Sequence, residues 1–356
     1  MNKRKNYVSF KKFKNKSHPK YTQKIKQSLR SKKILFISTL FLILFFFKFF
    51  HNNNNNSYFT EEEEEIEREL DKIEPNYSSL SWDNVKNDLE LLVNKYKHLI
   101  KNEKNIEEDS PIWVMWYQGI ENAPPIVKSC IQSIIINRAK HSVYILSKYN
   151  LDKYIKLPPY IIEKFKQGKF SLQQFSDIIR FALLYKHGGY WIDSTFFITT
   201  PLINVNVSYF TLKLKTCFTD KHPFIKCLWG GNFIAVGKNS FLATYGYMAF
   251  LQYWKKYNSL IDYFLIDYII HIAYTTLPEF KQMITDLPLV TCNIFTLQLN
   301  LKSVYEKSYV ECPFNKLAKH KIANLYNGDK ITNYGYLIEN YKLDIKNDSK
   351  EYILNI

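Results

Sequence analysis

The sequence predicts an α/β fold built on a parallel sheet and placed behind an N-terminal membrane anchor. Three observations carry this. Between residues 111 and 148, two short apolar runs flank one helix-length pattern, a β-α-β succession. Residues 171–189, "SLQQFSDIIRFALLYKHGG", read as a longer helix that ends at a double glycine and leads into the apolar stretch "YWIDSTFFIT". Apolar residues make up 46% of the 356 positions, enough for a sizeable core in one large or two modest domains.

The chain opens on a basic tail. Residues 1–33 hold 13 Lys/Arg and no Asp/Glu, and Lys48 adds one more cation. The remainder carries 35 basic against 33 acidic residues, so the formal charge of +16 belongs to the tail and not to a folded face. That placement argues against nucleic-acid binding, which needs a basic folded surface or arm. Residues 34–50, "ILFISTLFLILFFFKFF", follow. As a helix they span roughly 25 Å, slightly short of a hydrocarbon core of about 30 Å. Lys48 near the far end is placed to snorkel. The basic flank puts residues 1–33 in the cytosol and the rest across the membrane, as in a single-pass type II protein. A cleaved signal peptide fits less well: its basic region is shorter, and no small-residue cleavage site follows here.

Residues 51–109 read as a stem. "NNNNN" (52–56) and "EEEEE" (61–65) are low-complexity and hydrophilic. An amphipathic helix is expected in "SWDNVKNDLELLVNKYKHLI", with Val85, Leu89, Leu92, Val93 and Tyr96 on one face. The five cysteines show no CxxC and no metal-ligand spacing. A compartment across the membrane permits disulfides, Cys217 and Cys227 are close enough in sequence to pair, and the odd count leaves one thiol over. Glycosylation sequons stand at Asn55, Asn76, Asn206 and Asn347.

The folded domain is expected over residues 110–330, with 331–356 as a C-terminal extension. "PIWVMWYQG" is a short apolar run bounded by Pro and Gly, hence a buried strand; "APPIVKSCIQSIIINRA" is a helix whose prolines suit a first turn; "HSVYILSK" is the second strand. A short helix is expected in "PPYIIEKFKQG", then the longer helix with Ser171 as N-cap and Gly188 as its stop, then one strand through "YWIDSTFFIT". Further on, a strand ends near Val236 and a helix runs from Ser240 to about Lys256.

Asp177 and Arg180 lie three apart on the longer helix and therefore share a side. An exposed pair of this kind is worth little. Here Phe175, Ile178, Ile179, Phe181, Ala182 and Leu183 surround it, and charges in such a setting need partners or a ligand. The helix stop and the glycine turn bring Asp193 to the same crevice, at the carboxyl end of a strand, where open α/β sheets bind ligands.

"FSDIIRFALLYKHGGYWIDSTFFITTPL" closely resembles the capsular polysaccharide synthesis family of sugar transferases, relatives of the DXD-type glycosyltransferases. "IWVMWYQGIENAPPIVKSCIQSI" resembles the family's opening strand and helix. The resemblance spans roughly residues 110–320 and is sharpest at 171–202, in S-D-x-x-R followed by L-x-x-x-G-G-x-W-x-D. It implies a GT-A-like, Rossmann-type fold, a nucleotide-sugar donor, and transfer to a hydroxyl of a glycan or glycoconjugate with retention of anomeric configuration. By resemblance, Asp177 and Arg180 contact the donor sugar and its phosphates. Asp193 stands at the first Asp of the DXD motif, bridging the nucleotide ribose or a metal on the diphosphate, and the strand Trp113–Gln118, with Trp116 and Gln118 as donor-site residues, flanks the base, on which Trp116 or Tyr117 stacks. A divalent cation, Mn²⁺, is implied at Asp193 and Thr195. Thr195 departs from the pattern, since hard cations prefer carboxylate oxygens.

Asp262 and Asp267 are candidates for the missing carboxylate, and Lys316, Lys319 and His320 form a basic cluster able to fold back over a diphosphate. His187 and His222 are base candidates by residue type alone; no catalytic nucleophile or base is assigned. The anchor, stem and domain order suggests a Golgi or ER glycoprotein with its domain in the lumen. The alternative is a non-catalytic glycan- or nucleotide-binding protein of the same fold, for which Thr195 is the one sequence feature.

Overall fold

Helix α1 (Trp82–Tyr96) opens the folded unit. The Ser81 hydroxyl caps it by accepting from the Asn84 N–H (3.2 Å). Val85, Leu89, Leu92 and Val93 recur at helical spacing and are all buried. The structure, a computed structural model, describes residues 66, 68–202, 206–215, 224, 227–343 and 352–353. The basic tail (1–33) and the expected anchor (34–50) lie outside the described residues. Among the described residues, no helix is long and apolar enough to cross a membrane.

The β-α-β expectation is met closely. Strand β1 (Ile112–Met115), helix α2 (Pro125–Ile136) and strand β2 (Val143–Leu146) follow in order, and β1 and β2 pair in parallel with Ile112 opposite Val143. Pro125 occupies the first turn of α2. Helix α3 (Pro159–Lys166) and helix α4 (Leu172–His187) come next, α4 capped by Ser171 and stopped at Gly188. Strand β3 (Gly189–Ile192) then pairs in parallel with β1, Trp113 lying opposite Trp191.

The stretch expected as one strand divides in two. After β3 the chain turns at Asp193, whose carbonyl accepts from the Phe196 N–H (2.9 Å). Strand β4 (Phe196–Ile198) then leaves the main sheet and pairs antiparallel with strand β9 (Phe314–Lys316). Asp193, Ser194 and Thr195 thus occupy a turn and not a strand centre. The turn follows from the ladder: Asp193 N–H still pairs with the Asn232 carbonyl (3.0 Å), but Phe196 and Ile198 are both fully buried elsewhere and need a different partner.

Strand β5 (Tyr209–Thr211), strand β7 (Phe233–Val236) and the edge strand β12 (Tyr352–Ile353) complete a six-stranded mixed sheet in the order β12-β2-β1-β3-β7-β5. Its first four strands are mutually parallel, β7 runs antiparallel to both of its neighbours, and β5 therefore points the same way as the first four. Further short strands pair outside it, β6 (Lys213–Leu214) with β8 (Leu289–Val290) in parallel and β10 (Tyr326–Asn327) with β11 (Lys330–Ile331) antiparallel. Helix α5 (Phe241–Lys256), capped by Ser240, packs against α4, and the helices come so close at Gly246 that a Cβ there would lie 2.3 Å from the Phe181 ring. Helix α6 (Leu265–Thr276) packs on α5 and on α1.

Two boundaries expected from the sequence move. The expected stem, residues 51–109, contains α1, which buries its apolar face against α5 and α6; the described residues from 68 onward form one compact unit. Residues 331–356 were expected as an extension, yet a terminal helix (Asn333–Asn340) packs against α2, and β12 joins the sheet beside β2. Cys292 and Cys312 form a disulfide, and Cys130 is a buried free thiol. Cys217 lies outside the described residues. The sequon residues Asn76 and Asn206 are exposed, while Asn55 and Asn347 lie outside the described residues.

Candidate active site

Parallel pairing of β1 and β3 brings two carboxyl ends to one edge, so the segment after Met115 and the turn after Ile192 emerge side by side. Because β7 runs antiparallel to β3, its incoming end, Gly230–Asn232, reaches the same edge. Helix α4 lays Asp177 and Arg180 against it.

Arg180 is the hub. It is 5% exposed, and its Nη2 lies 3.1 Å from Asp177 Oδ1 and 3.3 Å from Asp193 Oδ1. Nη1 donates to the Gly231 carbonyl. A Cβ at Gly231 would lie 2.9 Å from Ile266 and 3.4 Å from Arg180 Nη1, so glycine leaves room for the guanidinium to reach the backbone. The guanidinium also lies 5.0 Å from the centre of the Trp191 ring, a cation–π contact. Trp191 Nε1 donates to Asp193 Oδ1 (2.9 Å). From the far side Lys316 Nζ donates to Asp193 Oδ2 (2.8 Å) and to Thr195 Oγ1 (2.7 Å).

These contacts separate the carboxylates. Burial pushes Asp177 up to about 7; Arg180 opposes the rise, and Asp193 and Asp267 add to it. Burial likewise pushes Asp267, on α6, up to about 6 against the pull of Arg180. Burial acts on Asp193 too, but Lys316 and Arg180, with the hydrogen bonds from Lys316 and Trp191, outweigh it and hold the group below the ordinary aspartate value. Asp193 is therefore the firmly ionised acid of the three. It faces Arg180 and Lys316, and a third cation, Lys319, sits 5.7 Å from the centre of the Trp116 ring. The crevice thus sets three cations against three carboxylates, of which Asp193 is held most firmly in its ionised form.

The crevice is a cleft of about 460 Å³, the size of a small-molecule site. The model of the capsular polysaccharide synthesis protein family matches residues 62–339 of this sequence. The chain belongs to that family. No curated protein and no solved structure matches it. The family match starts ahead of α1 and runs through most of the terminal helix, so both segments outside the expected domain limits fall within it.

In this member of the capsular polysaccharide synthesis family, the residues singled out from sequence meet in the cleft: Asp177, Arg180, Asp193, Thr195, Trp116 and Gln118 all line it. Asp267 lines it as well, whereas Asp262 does not; its Oδ1 accepts from the Phe264 N–H (2.8 Å) at the start of α6. His187 is remote, with Nε2 bonded to the Tyr154 carbonyl (2.9 Å), and His222 lies outside the described residues. Of the basic cluster, Lys316 and Lys319 line the cleft and His320 does not.

Trp191 and Lys316 are the residues that sequence reasoning did not assign. Trp191 stood inside the resemblance motif two residues before Asp193, and that spacing was its signal. Lys316 had only its membership of the basic cluster, being 123 residues from Asp193.

The donor set fits a divalent cation poorly. The two oxygens of Asp193 already accept from Arg180, Trp191 and Lys316, and Thr195 Oγ1 is bonded to the same ammonium. Hard cations of this class need an oxygen-rich shell. Among the described residues, no group of three His, Cys, Asp or Glu side chains is placed to hold a metal.

Proposed function

We propose that this protein is a glycosyltransferase of GT-A-like fold that moves a sugar from a nucleotide-sugar donor to a hydroxyl of a glycan or glycoconjugate. One observation carries the reading: Asp177, Arg180, Asp193 and Lys316 converge in a single cleft at the carboxyl ends of the parallel strands. That edge is where α/β sheets hold nucleotides. A buried guanidinium suits the phosphates of the donor, and the buried acid beside it suits sugar hydroxyls. Trp116 and Gln118, just past β1, line the same cleft, which supports the reading that they flank the base.

In the reaction the bond from the anomeric carbon to the diphosphate oxygen breaks and its electron pair leaves with the phosphate. A new bond forms to the acceptor oxygen, whose proton passes to the departing diphosphate. Arg180 and Lys316 stabilise the charge that develops on the leaving group. The long apolar run at 34–50 and the basic flank before it support a type II anchor, and the Cys292–Cys312 disulfide supports an oxidising compartment for the domain.

The test is release of nucleoside diphosphate by the full-length protein in detergent, screened over a panel of nucleotide sugars with and without glycan acceptors. Turnover of at least one donor is expected. Arg180→Met, which removes the charge at the hub, is expected to lower that turnover by about 100-fold or more, the scale of losing one leaving-group stabiliser. A panel with no binding and no turnover sinks the reading. Donor binding without transfer would favour the non-catalytic alternative.

A further inference from the structure

We propose that the Lys316 ammonium takes the place of a divalent cation, so that the donor diphosphate binds without metal. The inference rests on the donor reading above and deepens it. It comes from one juxtaposition: Lys316 Nζ bridges Asp193 Oδ2 at 2.8 Å and Thr195 Oγ1 at 2.7 Å, the two oxygens that the DXD resemblance allots to the metal.

The lysine is held there by its backbone. It sits on β9 opposite Phe196, directly after the Asp193–Thr195 turn. Its own N–H donates to the Ile294 carbonyl (2.8 Å), and the N–H of Leu317 donates to the Thr195 carbonyl (2.9 Å). The Cys292–Cys312 disulfide ties the segment carrying Ile294 to the start of β9. The ammonium is thus delivered by paired strands and a covalent link, and not by a free surface side chain; the Lys316 side chain is 18% exposed.

The chemistry is sufficient for the role. An ammonium has three donors; Asp193 and Thr195 take two, which leaves one for a phosphate oxygen. One ammonium carries half the charge of Mn²⁺. Arg180 and Lys319, both on the cleft wall, supply the remainder. Thr195 then has a physical reason. A carboxylate at that position would add a second negative charge beside Asp193, the arrangement a divalent ion requires, whereas a hydroxyl accepts from the ammonium without offsetting its charge further.

The experiment is calorimetric titration of the full-length protein with UDP, GDP, CDP, ADP and dTDP, each in excess EDTA and again in Mn²⁺. At least one nucleotide is expected to bind in EDTA within about twofold of its affinity in Mn²⁺. Lys316→Met, which keeps the aliphatic stem, should weaken that binding in EDTA by about tenfold or more. Lys316→Arg should retain most of it, and matched melting curves show that both variants fold. Electron paramagnetic resonance with Mn²⁺ alone should show no ion bound in the wild type that is lost in Asp193→Asn. A nucleotide that binds only with Mn²⁺, a Lys316→Met protein that binds as the wild type does, or an Asp193-dependent Mn²⁺ signal in the wild type overturns the proposal. If no nucleotide binds under either condition, the donor reading itself falls, and this inference falls with it.

Discussion

Asp177 and Asp193 share one guanidinium, yet their proton affinities are displaced in opposite directions. Asp177 is buried with Arg180 as its cation, and desolvation wins; Asp193 has two cations and an indole N–H, and the charges win. The difference has a sign that denaturation can read. Asp177 loses its proton near 3.8 when unfolded and near 7 when folded. Between those values the folded state holds more protons, so this group makes stability fall as pH rises. Asp267 contributes with the same sign up to about 6. Asp193 has the opposite sign: its contribution is full above 3.8 and is lost as pH falls through its lower folded value. From about pH 5 to 7, the urea midpoint of Asp177→Asn should therefore rise relative to wild type. The relative gain is on the order of 2 kcal/mol, at about 1.4 kcal/mol per pH unit. A parallel course of the two proteins over that range would remove Asp177 as the titrating group. Asp177, Arg180 and Asp193 were legible in the sequence because helix periodicity and a glycine stop place them locally. Lys316 was legible only as part of a basic cluster able to reach a diphosphate; its pairing with Asp193 was not, because no local rule links residues 123 apart.

At the scale of elements, the main strands and helices matched their patterns, and the one strand that did not match is the one that makes the site. "YWIDSTFFIT" is apolar enough for a single strand, and both of its halves are buried. What breaks it is competition between two partners, β7 for the first half and β9 for the second, and the turn between them presents Asp193 and Thr195. The entry to β3 is set by Gly189, at φ 90°, where a Cβ would lie 2.2 Å from the Pro111 carbonyl oxygen. Gly189→Ala therefore both strains the backbone and pushes β3 off the segment leading into β1. It is expected to lower the melting temperature by several degrees, on the scale of about 2–4 °C per kcal/mol seen for domains of roughly 150–250 residues. Gly328→Ala, at φ 59° with nothing within 4 Å of the added Cβ, is the control and should shift it less. Equal shifts would show that close packing at Gly189 is not what matters.

For the whole molecule, the unit that folds is longer at both ends than the β-α-β pattern and its motif suggest. Helix α1 buries four aliphatic side chains against α5 and α6. At about 1.5–3 kcal/mol each, that burial rivals the roughly 5–15 kcal/mol by which a whole domain is stable. A chain starting at residue 110 should accordingly aggregate or melt without cooperativity, and one starting at residue 67 should give a single sharp transition by circular dichroism. Cooperative melting of the shorter chain would return α1 to the stem. The sequence by itself determined the element types, the α/β class, the basic tail and its apolar run, and the three motif residues, since each rests on periodicity, turn chemistry or short spacing. Only the tertiary structure decided that α1 and the C-terminal strand belong to the domain, that Asp193 sits in a turn, and that Lys316 closes on Asp193 and Thr195. Each of these depends on which distant surface an apolar face or a strand edge meets, and that choice is made by packing across the whole chain.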